Sequence, residues 1–204
     1  PGGTATPTPT PGGTATPTPT PCGGPAALSE NFDSVTAPAL PAGWVAANAV
    51  GPAPLWVTST TTPDSAPNHA FIDDPAVVSD KRLDTPDIAI TTTTASVSFR
   101  NNFALEPIAG GASFFDGGVL EVSSPNIAGG AFTDITNAAV GGSFVTGGYT
   151  GTISTAFMSP IAGRMAWSQS SGGYINTVAN LGPNVNGQTI KLRFRMGSDS
   201  SVTG

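Results

Sequence analysis

Residues 189–196 read TIKLRFRM, and this octapeptide is the clearest secondary-structure signal in the chain. Large apolar side chains occupy every second position, and a Thr or a basic side chain occupies each position between them. Strict alternation places successive side chains on opposite faces of a β-strand. We therefore predict a strand that buries Ile190, Leu192, Phe194 and Met196. Its other face, turned to water, carries a basic stripe, defined here as Lys191, Arg193 and Arg195.

The rest of the chain after residue 27 has the same character. Gly and Pro recur too often for helices of normal length, and short β-rich runs fill the gaps between them. Many short strands joined by Gly, Pro and Asn turns predict an all-β sandwich or barrel. The predicted runs are 44–47, 55–60, 70–72, 95–99, 118–122, 132–135, 149–154, 165–168, 174–181 and 189–196.

The first 27 residues have a different composition. PGGTATPTPT stands at 1–10 and again at 11–20, without a charged residue. Alternating Thr and Pro removes backbone donors and fixes φ, which excludes a helix and favours extended polyproline II. We predict a linker over 1–27, of the Thr/Pro-rich kind that carries O-linked sugars. It would hold a domain at 28–204 away from an upstream domain of the same polypeptide.

Composition excludes several functions and favours one location. Only 10% of the residues are charged and the net charge is −6, which argues against sequence-independent nucleic-acid binding. No apolar run approaches the roughly 18 residues that span a membrane. Low charge with abundant Thr, Ser, Gly and Asn favours an extracellular or cell-surface protein. The single cysteine, Cys22, cannot form an intrachain disulfide or a CxxC metal site.

Six segments, taken together, resemble the MAM-like jelly-roll modules of bacterial secreted proteins, among them the choice-of-anchor J and cleaved-adhesin domains. The resemblance covers about residues 29–204 and implies a two-sheet antiparallel jelly roll. It also implies a non-catalytic adhesion or accessory module on a larger exported protein. In that family the last segment continues into a further strand, so we expect the fragment to lack its terminal strand. The segments are ENFDSVTAPALPAGW (30–44), FIDDPAVVSDKRLDTPDI (71–88), FRNNFALE (99–106), FFDGGVLEVS (114–123), AGRMAWSQSSGGY (162–174) and KLRFRMGSDSSVTG (191–204).

Acidic residues suggest a calcium site. The loop PNHAFIDDP supplies Asp73 and Asp74, and carboxylates are the ligands that calcium prefers. The resemblance implies structural calcium near an N-terminal acid, which is Glu30 here, and Asp199 is placed to close such a site from the C-terminal end. The alternative is a solvated acidic loop, since EF-hand spacing is absent.

Ligand-binding candidates are the basic stripe and the tryptophans. Lys191, Arg193 and Arg195 suit an anionic glycan or an acidic partner, and the alternative is a solvated face paired with aspartates. Trp56 is a candidate sugar-stacking residue, although we expect at least two of the three tryptophans to pack in the core.

Catalytic patterns are weak. His69 is the only histidine and no G-x-S-x-G elbow accompanies it. Asp116 in FFDGGV is typical of a tight turn and forms a poor glycosidase pair with Glu121. We therefore predict a non-catalytic adhesion or accessory binding module. The alternatives are a carbohydrate-binding module tethered to an exported hydrolase, and a surface-assembly subunit completed by a strand from another chain.

Overall fold

A computed structural model describes residues 26–106 and 114–200 of the chain. The predictions for the Thr/Pro repeat, for Cys22 and for residues 201–204 lie outside these ranges. Within them the chain forms β-strands and two short 3-10 turns, Ala128–Gly130 and Pro183–Val185, but no α-helix. The all-β prediction is therefore confirmed. Across these ranges, no helix has the length and apolar character needed to cross a membrane.

The strands are short, and each is named in chain order. They are β1 (Val45–Val50), β2 (Val57–Ser59), β3 (His69–Phe71), β4 (Ser79–Asp84), β5 (Ile88–Ala89), β6 (Ser96–Asn101), β7 (Gly117–Ser123), β8 (Thr133–Asp134), β9 (Ser143–Thr146), β10 (Gly151–Thr152), β11 (Met165–Ala166), β12 (Ile175–Asn180) and β13 (Thr189–Ser198).

The largest sheet, called the main sheet, has the order β1-β4-β13-β7-β8, with β5 also pairing with β13. All of its pairings are antiparallel, and Phe194 of β13 lies opposite Leu83 of β4 and Leu120 of β7. A smaller sheet has the order β6-β12-β9. Two further pairs, β2 with β3 and β10 with β11, complete the described sheets.

The core lies between the main sheet and the smaller sheet. Leu120 of β7, Ile190 and Leu192 of β13, and Ala179 of β12 are buried in one cluster. The Phe99 ring of β6 meets the Phe194 ring of β13 edge-on, with centroids 5.1 Å apart. Each large apolar side chain buried in this way contributes roughly 1.5–3 kcal/mol. These contacts give the fold its sandwich-like character.

The TIKLRFRM strand forms as predicted, but its second face is only partly wet. Ile190, Leu192 and Met196 are buried and Phe194 is partly buried, whereas the side chains of Arg193 and Arg195 are only 15% and 16% exposed. The expectation of a wet face was wrong for these two arginines because carboxylates of neighbouring strands cover their guanidinium groups. Lys191 is 41% exposed, and all three basic residues pair with aspartates, as the alternative interpretation had it.

One central strand was missed. β4 carries the sequence SDKRLD, whose four charges are typical of a loop, yet it lies between β1 and β13. Its charges are tolerated because they pair within the sheet: Asp84 bonds Arg193 of β13, and Asp80 bonds Arg195 of β13. Local hydrophobic alternation cannot reveal a strand whose neighbours supply its counter-charges.

The tryptophan expectation also needs correction. Only Trp167 is buried, and its Nε1 donates to Gly147 O at 2.8 Å. Trp44 is half-buried against Phe32, with ring centroids 4.9 Å apart, and Trp56 is half-buried as well. Phe99 and Phe144 of the smaller sheet pack against Trp167 in the core cluster, to which neither Trp44 nor Trp56 belongs.

Candidate functional site

Three buried carboxyl groups meet at one end of the main sheet. Glu106, Asp116 and Asp199 each place a carboxylate oxygen within 4.8 Å of the others. Their exposed fractions are 8%, 0% and 2%. These three residues are called the acidic cluster. Burial of several like charges costs free energy unless protons or a cation neutralise them.

Strand pairing brings two members of the acidic cluster together. Asp116 directly precedes β7 and Asp199 directly follows β13, and Gly117 lies opposite Gly197 where the two strands pair. The backbone N–H of Asp199 donates to Asp116 Oδ1 at 2.6 Å. The third carboxyl, of Glu106, comes from the chain that follows β6.

Gly117 allows the packing behind this site. A Cβ at this position would stand 2.7 Å from Ala166 Cβ and 2.8 Å from Ile153 Cδ1. Both distances are shorter than real Cβ contacts. The glycine therefore lets β7 approach β11 closely directly beside the acidic cluster.

The electrostatics of the acidic cluster favour neutralisation. Burial, together with the charges of Asp74, Asp199 and Glu106, raises the pKa of Asp116 to about 8, although the Asp199 N–H opposes the rise. Burial and the charges of Asp199 and Asp74 raise the pKa of Glu106 as well. Asp74 therefore lies close enough for its charge to act on two members of the cluster.

Two cluster oxygens are buried without donors. Asp116 Oδ2 and Glu106 Oε2 accept no hydrogen bond from residues 26–106 or 114–200. A buried acceptor left in this state costs roughly 1–3 kcal/mol. Carboxylate oxygens gathered in one place are the donor set of hard divalent cations. The residues present therefore fit such a cation, which would satisfy both oxygens.

The structure separates the four residues predicted to bind metal. Asp199 belongs to the acidic cluster and Asp74 lies near it. Asp73 instead pairs with the fully buried Lys81. Glu30 Oε1 accepts a hydrogen bond from Phe32 N at 2.7 Å within its own turn. Asp73 and Glu30 are thus engaged by partners outside the acidic cluster.

Sequence reasoning missed Glu106 and Asp116. FFDGGV is typical of a turn, because Asp followed by two glycines is common in turns. The signal that marks Asp116 is the pairing of β7 with β13, which joins two acids 83 residues apart. Glu106 carries no local pattern that distinguishes it from a surface acid.

A second charged constellation lies on the main-sheet face opposite the core. It is called the charge network, and its members are Asp80, Arg82, Glu121, Asp134, Arg164 and Arg195. Arg164 Nη1 donates to Glu121 Oε1 at 2.6 Å and its Nη2 to Asp134 Oδ2 at 2.8 Å. Arg195 Nε and Nη2 donate to the two oxygens of Asp80 at 2.8 and 2.9 Å.

The charge network is held tightly. Arg195 Nη1 also donates to Glu121 Oε1, at 3.1 Å, so that Glu121 joins two guanidinium groups. Burial opposes ionisation of Asp80, but hydrogen bonds and charges from Arg82 and Arg195 lower its pKa overall. The three carboxylates and three guanidinium groups of the charge network therefore have no net charge.

The residues predicted to bind ligands are distributed differently from expectation. Lys191 pairs with Asp87 at 2.7 Å in an exposed position. Arg193 bonds both oxygens of Asp84, and its guanidinium carbon lies 3.6 Å from the centroid of the Phe132 ring. Arg195 belongs to the charge network. Trp56 lies before β2, outside the basic stripe. The stripe is thus already paired with carboxylates of the same chain.

A cleft opens beside the charge network. Its volume is about 450 Å³, and Glu121, Asp134, Arg164 and Arg195 are among its lining residues. Phe132, Met165, Thr136 and Asn137 also line it. Thr136 and Asn137 are exposed, whereas Glu121 is buried. The cleft therefore combines a fixed charged floor with hydroxyl, amide and apolar groups.

The only histidine lies in an aromatic environment. The His69 ring packs edge-on against Tyr174, with centroids 6.5 Å apart, and lies 6.0 Å from Phe71. Burial lowers the pKa of His69, although a bond with the Ser59 backbone opposes the change.

No family model matches the chain, and comparisons with curated proteins and with solved structures found no match either.

Proposed function

We propose that this chain is a non-catalytic binding module of an exported protein, of jelly-roll type, whose sheet end is held by a structural calcium ion. The observation that carries the proposal is the acidic cluster, with two buried oxygens that lack donors. Calcium supplies a divalent charge that neutralises the carboxylates. Glu106, Asp116 and Asp199 would hold the ion, with Asp74 beside them.

Burial supports a structural role for the ion. All three cluster carboxyls are less than one-tenth exposed, and each sits at an end of a strand or in a connection. Structural metal sites are closed by protein ligands, whereas catalytic sites keep a position open to substrate. A calcium ion at this place would join the start of β7, the end of β13 and the chain after β6.

The binding role and the exported location are supported by the six-segment resemblance and by the acidic, hydroxyl-rich composition. The charge network supports a binding role. Each of its carboxylates is engaged by arginine, so the polar groups beside the cleft are held in a fixed arrangement.

Calorimetry on the purified chain tests the calcium proposal. Removal of metal with EDTA should lower the melting temperature, and calcium should restore it with one ion bound per chain. At a calcium concentration of 100 times Kd, the stabilisation is about 2.7 kcal/mol. For a domain of this size that corresponds to roughly 5–10 °C. An unchanged melting temperature with calcium would reject the structural ion.

A further inference from the structure

We propose that the cleft beside Arg164 binds an uncharged saccharide through its hydroxyl groups. The inference deepens the binding role proposed above and rests on it. Three features of the described cleft carry it: the absence of net charge on its floor, the fixed orientation of its polar groups, and its mixed walls.

The floor has no charge left for an ion. Glu121 and Asp134 carry two negative charges and Arg164 and Arg195 carry two positive charges, each within 3.1 Å of a partner. An anionic ligand would have to displace a carboxylate from a guanidinium group that it already bonds. An ammonium ligand would have to displace a guanidinium group from a carboxylate. A neutral ligand displaces neither group.

Polar groups on the floor are held before a ligand arrives. The Arg164 guanidinium has five N–H donors. One Nη1 hydrogen bonds Glu121 and one Nη2 hydrogen bonds Asp134, which leaves further donors of the same guanidinium, counted over the described residues. The two carboxylates fix these donors and are themselves engaged. Asp134 accepts bonds from Thr136 and Tyr149 as well as from Arg164. The Glu121 side chain is 3% exposed.

Sugar hydroxyls both donate and accept, so a hydroxyl can accept from the Arg164 guanidinium, and another can donate to the hydroxyl oxygen of Thr136 or the amide oxygen of Asn137 among the lining groups. Groups fixed before binding lose little entropy when the ligand binds.

The walls of the cleft suit the apolar C–H surface of a sugar ring. Phe132 and Met165 provide apolar surface for ring C–H groups, and Met165 is 46% exposed. Thr136 and Asn137 add a hydroxyl and an amide among the lining groups. A cleft of about 450 Å³ lies within the range of small-molecule sites. It has room for the rings of a short oligosaccharide.

Titration calorimetry with defined oligosaccharides tests the inference. The probes are cellotetraose, xylotetraose, mannotetraose and maltotetraose, which are neutral, and sialyllactose and a heparin tetrasaccharide, which are anionic. We expect at least one neutral probe to bind, with a Kd that changes less than about twofold when sodium chloride is raised, because no charge is screened. Failure of all neutral probes, or binding of anionic probes alone, overturns the proposal.

A bulky side chain within the cleft locates the site. Thr136→Trp should weaken binding at least about tenfold, which corresponds to 1.4 kcal/mol. Thr91→Trp makes the same substitution at another exposed position and should leave binding unchanged. Equal affinity of Thr136→Trp and the wild-type chain overturns the proposal.

A measurement on the wild-type chain keeps the inference falsifiable if Thr136→Trp does not fold. Saccharide should shift the NMR signals of the Arg164 side-chain N–H and of the Thr136 and Asn137 amides. Shifts confined to other regions overturn the cleft assignment. If calcium stabilises the chain but no saccharide binds, the saccharide proposal is rejected and the calcium proposal stands. If saccharide binds but calcium has no effect, the calcium proposal is rejected and the saccharide proposal stands.

Discussion

The backbone N–H of Asp199 donates a 2.6 Å hydrogen bond to Asp116 Oδ1 and so joins the end of β13 to the start of β7. The second oxygen of the same carboxylate is buried and accepts no bond from the described residues. The Asp116 carboxylate therefore joins β7 to β13 through Oδ1 and, in our proposal, binds calcium through Oδ2.

Asp116→Asn should abolish the calcium response while the domain stays folded. The amide retains an oxygen to accept the Asp199 N–H, but it removes the negative charge and one anionic ligand. We expect the calcium-induced rise in melting temperature to fall from roughly 5–10 °C to near zero. Without calcium at pH 8, the variant should be at least as stable as the wild type, because repulsion within the acidic cluster is reduced.

Asp64→Asn is the matched control for that variant. Asp64 is also an aspartate with a hydrogen-bonded carboxylate, but it pairs with Arg100 on the surface. Its replacement should leave the calcium response intact. A similar loss of response in both variants would contradict a specific role for Asp116. Differential scanning calorimetry with calcium and with EDTA measures both.

Calcium-free stability should fall as the pH rises. The pKa of Asp116 is raised from 3.8 to about 8 in the folded chain, chiefly by burial, so between these values the folded state binds more protons than the unfolded state. The stabilisation is complete below pH 3.8 and is lost as the pH rises through about 8. Urea unfolding in EDTA at several pH values should show this decline, and saturating calcium should reduce it. The lowered pKa of His69 acts in the opposite direction below its ordinary value of 6.5, so the trend above pH 6.5 decides. Stability that rises with pH there in EDTA would contradict the raised pKa of Asp116.

Much of the fold could be predicted from the sequence, and β13 shows why. Alternating apolar residues at 190, 192, 194 and 196 reflect a local property, the two-residue period of a strand, and need no knowledge of neighbours. β4 shows the limit. Its SDKRLD sequence becomes a central strand because Arg193 and Arg195 of β13 neutralise its acids, a relationship across more than 100 residues.

The candidate site was less predictable for the same reason. Asp199 and Asp74 stand out as acids in polar loops, and the sequence suggested both. Asp116 looks like an ordinary turn residue until β7 is paired with β13. Asp73 looks equivalent to its neighbour Asp74, but Lys81 engages it. Local composition identifies acids, whereas strand pairing decides which of them meet.

Gly117→Ala should destabilise the domain, whereas Gly118→Ala should not. A Cβ at Gly117 would meet Ala166 Cβ and Ile153 Cδ1 at 2.7 and 2.8 Å, which forces β7 away from its neighbours. A Cβ at Gly118 would meet Trp167 at 3.6 Å, an ordinary contact. Overpacking of this kind costs about 1–3 kcal/mol. Urea denaturation compares the two variants, and equal stabilities would argue against the close approach of β7 and β11.

Glu121→Gln tests the charge network, with Asp87→Asn as its control. The Glu121 side chain is 3% exposed and bonds both Arg164 and Arg195, so its neutralisation leaves two half-buried guanidinium groups without their shared charge. We expect a loss of about 1–3 kcal/mol in the free energy of unfolding. The Lys191–Asp87 pair is 41% and 68% exposed, and its loss should cost about 0–1 kcal/mol. Guanidinium chloride screens surface pairs, so urea is the denaturant to use. Equal effects of the two variants would show that the charge network adds no stability beyond that of a solvated ion pair.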